Sequence, residues 1–281
     1  MNQNVLEVHH LRVRFGKKVA LDDVNIQFRK GESVVIAGSN GAGKSTLLRC
    51  LAGVIHPDKG QVVYASDLPR EKIAFISDGL SLFENMTLKQ GLDFHRRTFR
   101  IQDPDESFFE QLKFGKNQRI KNLSVGERTL YHLSMLLAQK PAVLLIDEII
   151  HAVDPYLREK FLETVIEAID KYGTTMITIN HTFSEIQNIP ERVLLMEGGR
   201  FILDEKSEQL KTKIKKVALD TEIPSEIPYV FKKESALGKD YFVYPFQEDF
   251  RRKYAYDFQS LELGDIVKAL IGGEYAKKRM S

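Results

Sequence analysis

The chain has 281 residues, of which 43% are apolar, and carries 41 Lys plus Arg against 39 Asp plus Glu for a net charge of +2. That apolar content supports a sizeable buried core and excludes a disordered chain, while the single cysteine, Cys50, excludes an internal disulfide. The balanced charge lacks the basic stripe that tracks a nucleic-acid backbone, so no nucleic-acid partner is expected. No apolar run approaches the roughly 18 to 20 residues of a membrane-spanning helix, and the N-terminal residues lack signal-peptide order. The expectation is a cytosolic protein that meets a membrane only through a partner.

In residues 5–28 apolar side chains alternate, as in Leu11, Val13, Phe15 and Val24, Ile26, Phe28, which predicts half-buried antiparallel strands. Ser33–Ala37 (SVVIA) is nearly continuous in its apolar character and reads as a buried strand, followed by a Gly-rich turn and a helical pattern over residues 45–51. Further apolar strands are expected at residues 61–65, 72–77, 142–147 and 174–180, with helical stretches between them, so the prediction is a mainly parallel sheet of the α/β class. Helical signals dominate residues 84–140, starting at Thr87, which has capping-box spacing to Gln90. Leu157, Phe161, Val165 and Ile169 share one helix face that ends at Gly173, and the Glu197-Gly198-Gly199 turn predicts a hairpin. The expected organisation is a core domain over residues 1–210, with its helical insertion at 84–140, and a small α+β appendage over 211–281. That appendage would open on the basic run 211–216, carry short strands near 229–231 and 241–244, and finish with a helix over 261–271.

The segment Gly38-Ser39-Asn40-Gly41-Ala42-Gly43-Lys44-Ser45 fits G-x-x-x-x-G-K-[ST] between a strand and a helix, the context required of a P-loop NTPase core. Glycines let successive backbone N–H groups wrap around phosphate oxygens, Lys44 reaches the β and γ phosphates, Ser45 can ligate Mg²⁺, and Thr46 adds a hydroxyl. Chance produces the four fixed positions in a chain of this length on the order of once in a hundred. Nucleotide hydrolysis also needs a carboxylate for the magnesium shell and often a second to polarise water, and Asp147-Glu148 supplies both at the end of an apolar strand. His181 follows another such strand at the end where parallel sheets hold their ligands, although for a lone histidine a backbone-bonded strand end is the better reading.

These residues resemble the ATP-binding cassette family, the nucleotide-binding subunits of ABC transporters, over residues 6–210. Beyond the phosphate loop and the acidic pair, the resemblance rests on Leu123-Ser124-Val125-Gly126-Glu127, which is similar to that family's LSGGQ signature and lies upstream of the acidic pair in the expected order. The resemblance implies ATP and Mg²⁺ as ligands, Phe15 stacked on adenine, Asp154 in the D-loop, and His181 as the switch histidine on the γ-phosphate. Phe15 also fits a core aromatic on a strand. The resemblance further implies Glu148 as general base or water-positioning group, and head-to-tail pairing in which Ser124, Gly126 and Glu127 of one subunit close the other's ATP site. The ATPase would work with a second ATPase subunit and an integral membrane permease at the cytoplasmic face of the membrane.

Three positions depart from the family pattern. Val125 replaces a glycine and narrows backbone freedom, and Glu127 replaces a glutamine with a carboxylate that would oppose the phosphates unless turned away. Asp78 stands at the Q-loop glutamine and would meet the metal directly or through water. These departures fit a tolerant homodimer or a subunit specialised for a different ATPase partner. Residues 260–270 resemble the terminal helix of ATPases from ABC-2 type exporters, which implies export of a peptide, lipid or drug-like substrate. A plain amphipathic helix, with Leu263, Ile266, Val267 and Leu270 packed on the appendage, fits the same residues. The alternative function is a soluble, non-transport cassette of the iron-sulphur assembly type.

Overall fold

The computed structural model describes residues 4–77, 83–147, 153–179, 190–235 and 238–272. At its centre six strands are ordered β5-β6-β7-β3-β8-β9: β5 is Ile73–Ser77, β6 Val143–Asp147, β7 Thr175–Ile179, β3 Ser33–Ala37, β8 Arg192–Glu197 and β9 Arg200–Lys206. All neighbours are parallel except the β8–β9 hairpin. The mainly parallel α/β sheet expected from the sequence is therefore present.

β3, β6 and β7 are buried at every position because both faces of the sheet are covered. Val34 and Ile36 face a cluster built with the long N-terminal strands β1 (Asn4–Phe15) and β2 (Lys18–Arg29) and with helix α1 (Lys44–Leu51). On the opposite face, α4 (Val125–Leu137) and α5 (Pro155–Tyr172) cover Leu144, Ile146 and Met176, while Val35 and Ala37 pack elsewhere along the sheet. Gly173 closes α5 in the left-handed conformation, as the sequence predicts.

Two placements differ from the sequence reading. β4 (Lys59–Tyr64) does not enter the central sheet; it pairs antiparallel with β1 in a separate three-stranded sheet ordered β2-β1-β4. Its burial pattern, largely exposed or half-buried, shows a strand covered on one side only, which a short apolar run does not distinguish from a central one. The second difference concerns the C-terminal helix α8 (Leu263–Gly272), which follows α6 (Ser207–Lys213) and α7 (Glu248–Tyr254). Leu263, Ile266, Val267 and Leu270 join Val35, Ala37, Val193 and Leu195 of the central sheet, so this helix completes the main core as well as touching Val230 of the appendage. The appendage supplies the other three-stranded sheet, ordered β10-β12-β11, from Lys215–Leu219, Gly238–Val243 and Tyr229–Ser235. The basic run at 211–216 hides β10: Lys213 pairs with Glu205 and Lys216 with Asp240, and each strand lysine stays partly solvated. Cys50 is buried in the first core cluster.

The helical insertion contains α2 (Leu88–Thr98), α3 (Ser107–Gln111) and α4. The Thr87–Gln90 capping box is formed in both directions. The Tyr131 hydroxyl on α4 donates to Leu88 O on α2 at 2.8 Å. Burial pushes His95 on α2 and His132 on α4 down to about 4, with His95 adding to the effect on His132. Neither His95 Nε2 nor His132 Nδ1 has a hydrogen-bond partner among the described residues, so both rings are held neutral. The unfolded imidazoles take up protons below about 6.5 while the folded ones resist until about 4. The unfolded state therefore binds more protons in that window, and stability falls as pH falls, by up to about 1.4 kcal/mol per pH unit for each ring. Urea denaturation at pH 7.5, 6 and 5 should show this decline, and His95→Leu should make it shallower, since only His132 then contributes; an unchanged slope in that variant would refute the assignment.

Candidate functional site

The buried strand β3 stops at Ala37 and its chain turns through the phosphate loop into α1. Three glycines take left-handed conformations there, Gly38 at φ +149°, Gly41 at +83° and Gly43 at +106°. Close approach matters as much as conformation: a Cβ on Gly38 would stand 2.1 Å from the Met196 carbonyl oxygen, and one on Gly43 2.3 Å from that of Ala20. The hairpin turn between β8 and β9 braces the loop from below, with Gly199 N–H donating to Ala42 O at 3.0 Å.

Lys44, at the start of α1, is buried, and its ammonium donates to the carbonyls of Gly38 and Ser39, both at 2.9 Å. Burial lowers its pKa, opposed by the carboxylates of Asp147 and Glu197. Ser45 Oγ donates to Asp147 Oδ1 at 2.9 Å, which joins the first turn of α1 to the end of β6 across the intervening β7. A hydroxyl and a carboxylate so placed are the hard oxygen donors that Mg²⁺ takes beside phosphate and water, so the residues fit a magnesium nucleotide. Glu197 was not legible as a site residue. It accepts from Ser39 Oγ at 2.7 and 2.8 Å, and only the folding of β8 beside β3 brings it there.

Above the loop lies a cleft of about 350 Å³ lined by Phe15, Lys18, Ala20, Asn40, Gly41, Gly43, Lys44, Ser45 and Thr46. Phe15 is 53% exposed, so it is not a core aromatic; its ring is presented at the cleft. Lys18 and Ala20 are further lining residues that the sequence reading missed, although the two-residue turn between Phe15 and Lys18 was a usable hairpin signal.

The signature segment is placed apart from this cleft. Ser124 caps α4: its Oγ accepts from Glu127 N–H at 3.2 Å, and Ser124 N–H donates to the Glu127 carboxylate at 2.8 Å. Glu127 is thus turned back onto its own helix end as the acidic half of a capping box. Gly126 is buried for a packing reason, since a Cβ there would stand 2.7 Å from Leu157 Cδ1 and 3.4 Å from Asp154 Oδ2. Asp154 in turn caps α5, accepting from Leu157 N–H at 3.1 Å. Val125 and Tyr156 are 61% and 72% exposed beside these two caps. Asp78, Glu148 and His181 lie outside the described residues.

Comparison with known proteins agrees with this geometry. The family described as ABC transporter matches residues 21–151. A probable sulfate/thiosulfate import ATP-binding protein CysA from Chlorella vulgaris is 30% identical over 208 residues, covering 69% of this chain and 88% of that protein. This chain belongs to the ABC transporter family of ATP-binding proteins. The Ralstonia nicotianae sulfate/thiosulfate import ATP-binding protein CysA is 32% identical over 212 residues, covering 69% of this chain and 57% of its own length. The Escherichia coli putrescine transport ATP-binding protein PotG is 29% identical, covering 70% and 56%. The chain therefore spans little more than half the length of these last two relatives. Among solved structures, the ATP-binding cassette MJ0796, dimeric and bound to ADP and Pi, superposes with a TM-score of 0.62 at 21% identity, over 72% of this chain and 98% of that one. An ATP-binding subunit of an ABC transporter gives 0.63 at 21% identity, over 74% and 92%. These structures share the cassette fold with this member of the family.

Proposed function

We propose that this chain is the ATP-hydrolysing subunit of an ABC transporter, peripheral to the cytoplasmic face of a membrane and paired with a second ATPase subunit and an integral membrane permease. The observation that carries the reading is the phosphate loop with Lys44 buried beneath it, the Ser45–Asp147 pair at 2.9 Å beside it, and an exposed aromatic at the same cleft. In this reading the amides of residues 38–46 and Lys44 hold the phosphates, Phe15 carries the base, and Ser45 and Asp147, with Asp78, hold Mg²⁺. The metal would supply charge neutralisation at the phosphates. Glu148 orients the attacking water, and His181 contacts the γ-phosphate.

Separation of the signature from the cleft supports a composite site. Ser124, Gly126 and Asp154 lie together around the adjoining ends of α4 and α5, and Ser124 is absent from the cleft lining, so it would serve a partner's nucleotide. The Ser124 hydroxyl proton is free of the capping bond, in which its oxygen only accepts. Support for the permease comes from the helical insertion, where Phe83 and Phe94 are 59% and 44% exposed and form an edge-on pair with ring centres 5.0 Å apart. Among the described residues no helix is long and apolar enough to cross a membrane, so transport in this reading requires that partner.

Export is the direction we infer, on the resemblance of residues 260–270 to the terminal helix of ABC-2 exporter ATPases. The two sulfate/thiosulfate relatives are named as import proteins and lend that direction no support. Reconstitution with the permease in vesicles, with ATP outside, decides between substrate uptake into the lumen and release from it. For the ATPase itself the test is the solution mass of Glu148→Gln with and without Mg-ATP. A shift from monomer to dimer is expected on adding nucleotide, together with loss of most turnover. Near-normal hydrolysis would refute the role of Glu148, and failure to bind ATP would refute the function.

A further inference from the structure

We propose that Lys18 is a phosphate-binding residue of the nucleotide cleft, delivering from the β1–β2 hairpin a second cation beside that of Lys44. This rests on the nucleotide reading above and adds a residue to it. β1 and β2 end on the pair Phe15 and Lys18, directly opposed across the Gly16-Lys17 turn. Opposed residues of an antiparallel pair project to the same face of the sheet, so the ring and the ammonium leave the hairpin tip together, and both line the cleft.

The ammonium also has a defined neighbour. A Cβ on Gly41 would stand 3.6 Å from Lys18 Nζ, which places the charge against the outer lip of the phosphate loop. Lys44 lies on the inner side, bonded to the Gly38 and Ser39 carbonyls. A nucleotide whose base lies on Phe15 must run its ribose and first phosphates between that ring and the loop, past Lys18. Many lysines of this chain have a carboxylate partner, such as Lys30 with Asp67, Lys140 with Asp103 and Lys171 with Asp105. Lys18 is exposed and has no such partner among the described residues. A phosphate oxygen is the counter-charge that the cleft would supply.

Because Lys18 faces the phosphates nearest the ribose, it should serve the diphosphate as well as the triphosphate. Calorimetric titration of the full chain with Mg-ATP and with Mg-ADP tests this in wild type, Lys18→Ala, Lys18→Arg and Lys17→Ala. Lys17 lies in the adjacent turn, is exposed and does not line the cleft, so its variant reports the loss of a general surface charge. Lys18→Ala is expected to weaken both nucleotides about fivefold to tenfold at low salt. Lys18→Arg should restore binding, and the difference should shrink in about 0.5 M salt, because an exposed charge is screened. Lys17→Ala should match wild type. The proposal is overturned if Lys18→Ala binds like wild type, if Lys17→Ala loses as much, or if only the triphosphate is affected. Wild type that binds no nucleotide removes the proposed function and this inference with it; wild type that binds while Lys18→Ala is unchanged removes the inference alone.

Discussion

Lys44→Ala should abolish ATP turnover and weaken Mg-ATP binding by about a hundredfold or more, while the protein stays folded. The ammonium is buried and, among the described residues, hydrogen-bonds only within its own loop, at 2.9 Å to two carbonyls. Its removal therefore leaves an opening in a loop that already borders the cleft, and no core packing is lost. The ammonium also offsets the nearby carboxylates of Asp147 and Glu197 where the phosphates bind, so the loss exceeds that of a single hydrogen bond. Isothermal titration and steady-state hydrolysis, with circular dichroism as the folding control, measure both effects. Hydrolysis within tenfold of wild type would show that Lys44 does not face the transferred phosphate.

The second large effect concerns Gly43. In Gly43→Ala the new Cβ meets the Ala20 carbonyl oxygen at 2.3 Å and Leu21 Cδ2 at 3.0 Å, at a φ of +106° that L-residues rarely adopt. Backbone strain and overpacking add, and a loss of about 3 kcal/mol or more in stability is expected, with nucleotide binding lost as the loop is displaced. Gly173→Ala is the contrast that isolates the steric part. Gly173 also sits in the left-handed region, at φ +63°, but nothing lies within 4 Å of its Cβ position. Only the conformational cost of about 1 to 2 kcal/mol applies there. Urea denaturation of the two variants should separate them clearly; equal losses would show that φ alone, and not the approach of the β2 backbone, requires glycine at 43.

Much of this protein was legible because its signals are local. The phosphate loop, the Thr87 cap, the Gly173 helix end and the Glu197-Gly198-Gly199 turn each depend on a few consecutive residues whose backbone preferences do not need the rest of the chain. The continuous apolar character of Ser33–Ala37 and Val143–Asp147 reported burial on both faces, and with it a parallel sheet. Asp147 was readable for the same reason, as a carboxylate ending a buried strand.

What the sequence by itself determined, then, is the identity of the groups that can bind a magnesium nucleotide and the α/β frame that carries them. Tertiary structure decided which of them meet. It placed β4 beside β1, because an apolar run of that length carries no mark of which sheet will cover it. It laid α8 across Val35, Ala37, Val193 and Leu195, since an amphipathic stripe specifies that it be buried and not against what. It turned Glu127 into a helix cap, and it brought Glu197 to Ser39 and Lys18 to the lip of the phosphate loop. Those contacts join segments far apart in the chain, and their geometry is set by how strands and hairpins pack on one another.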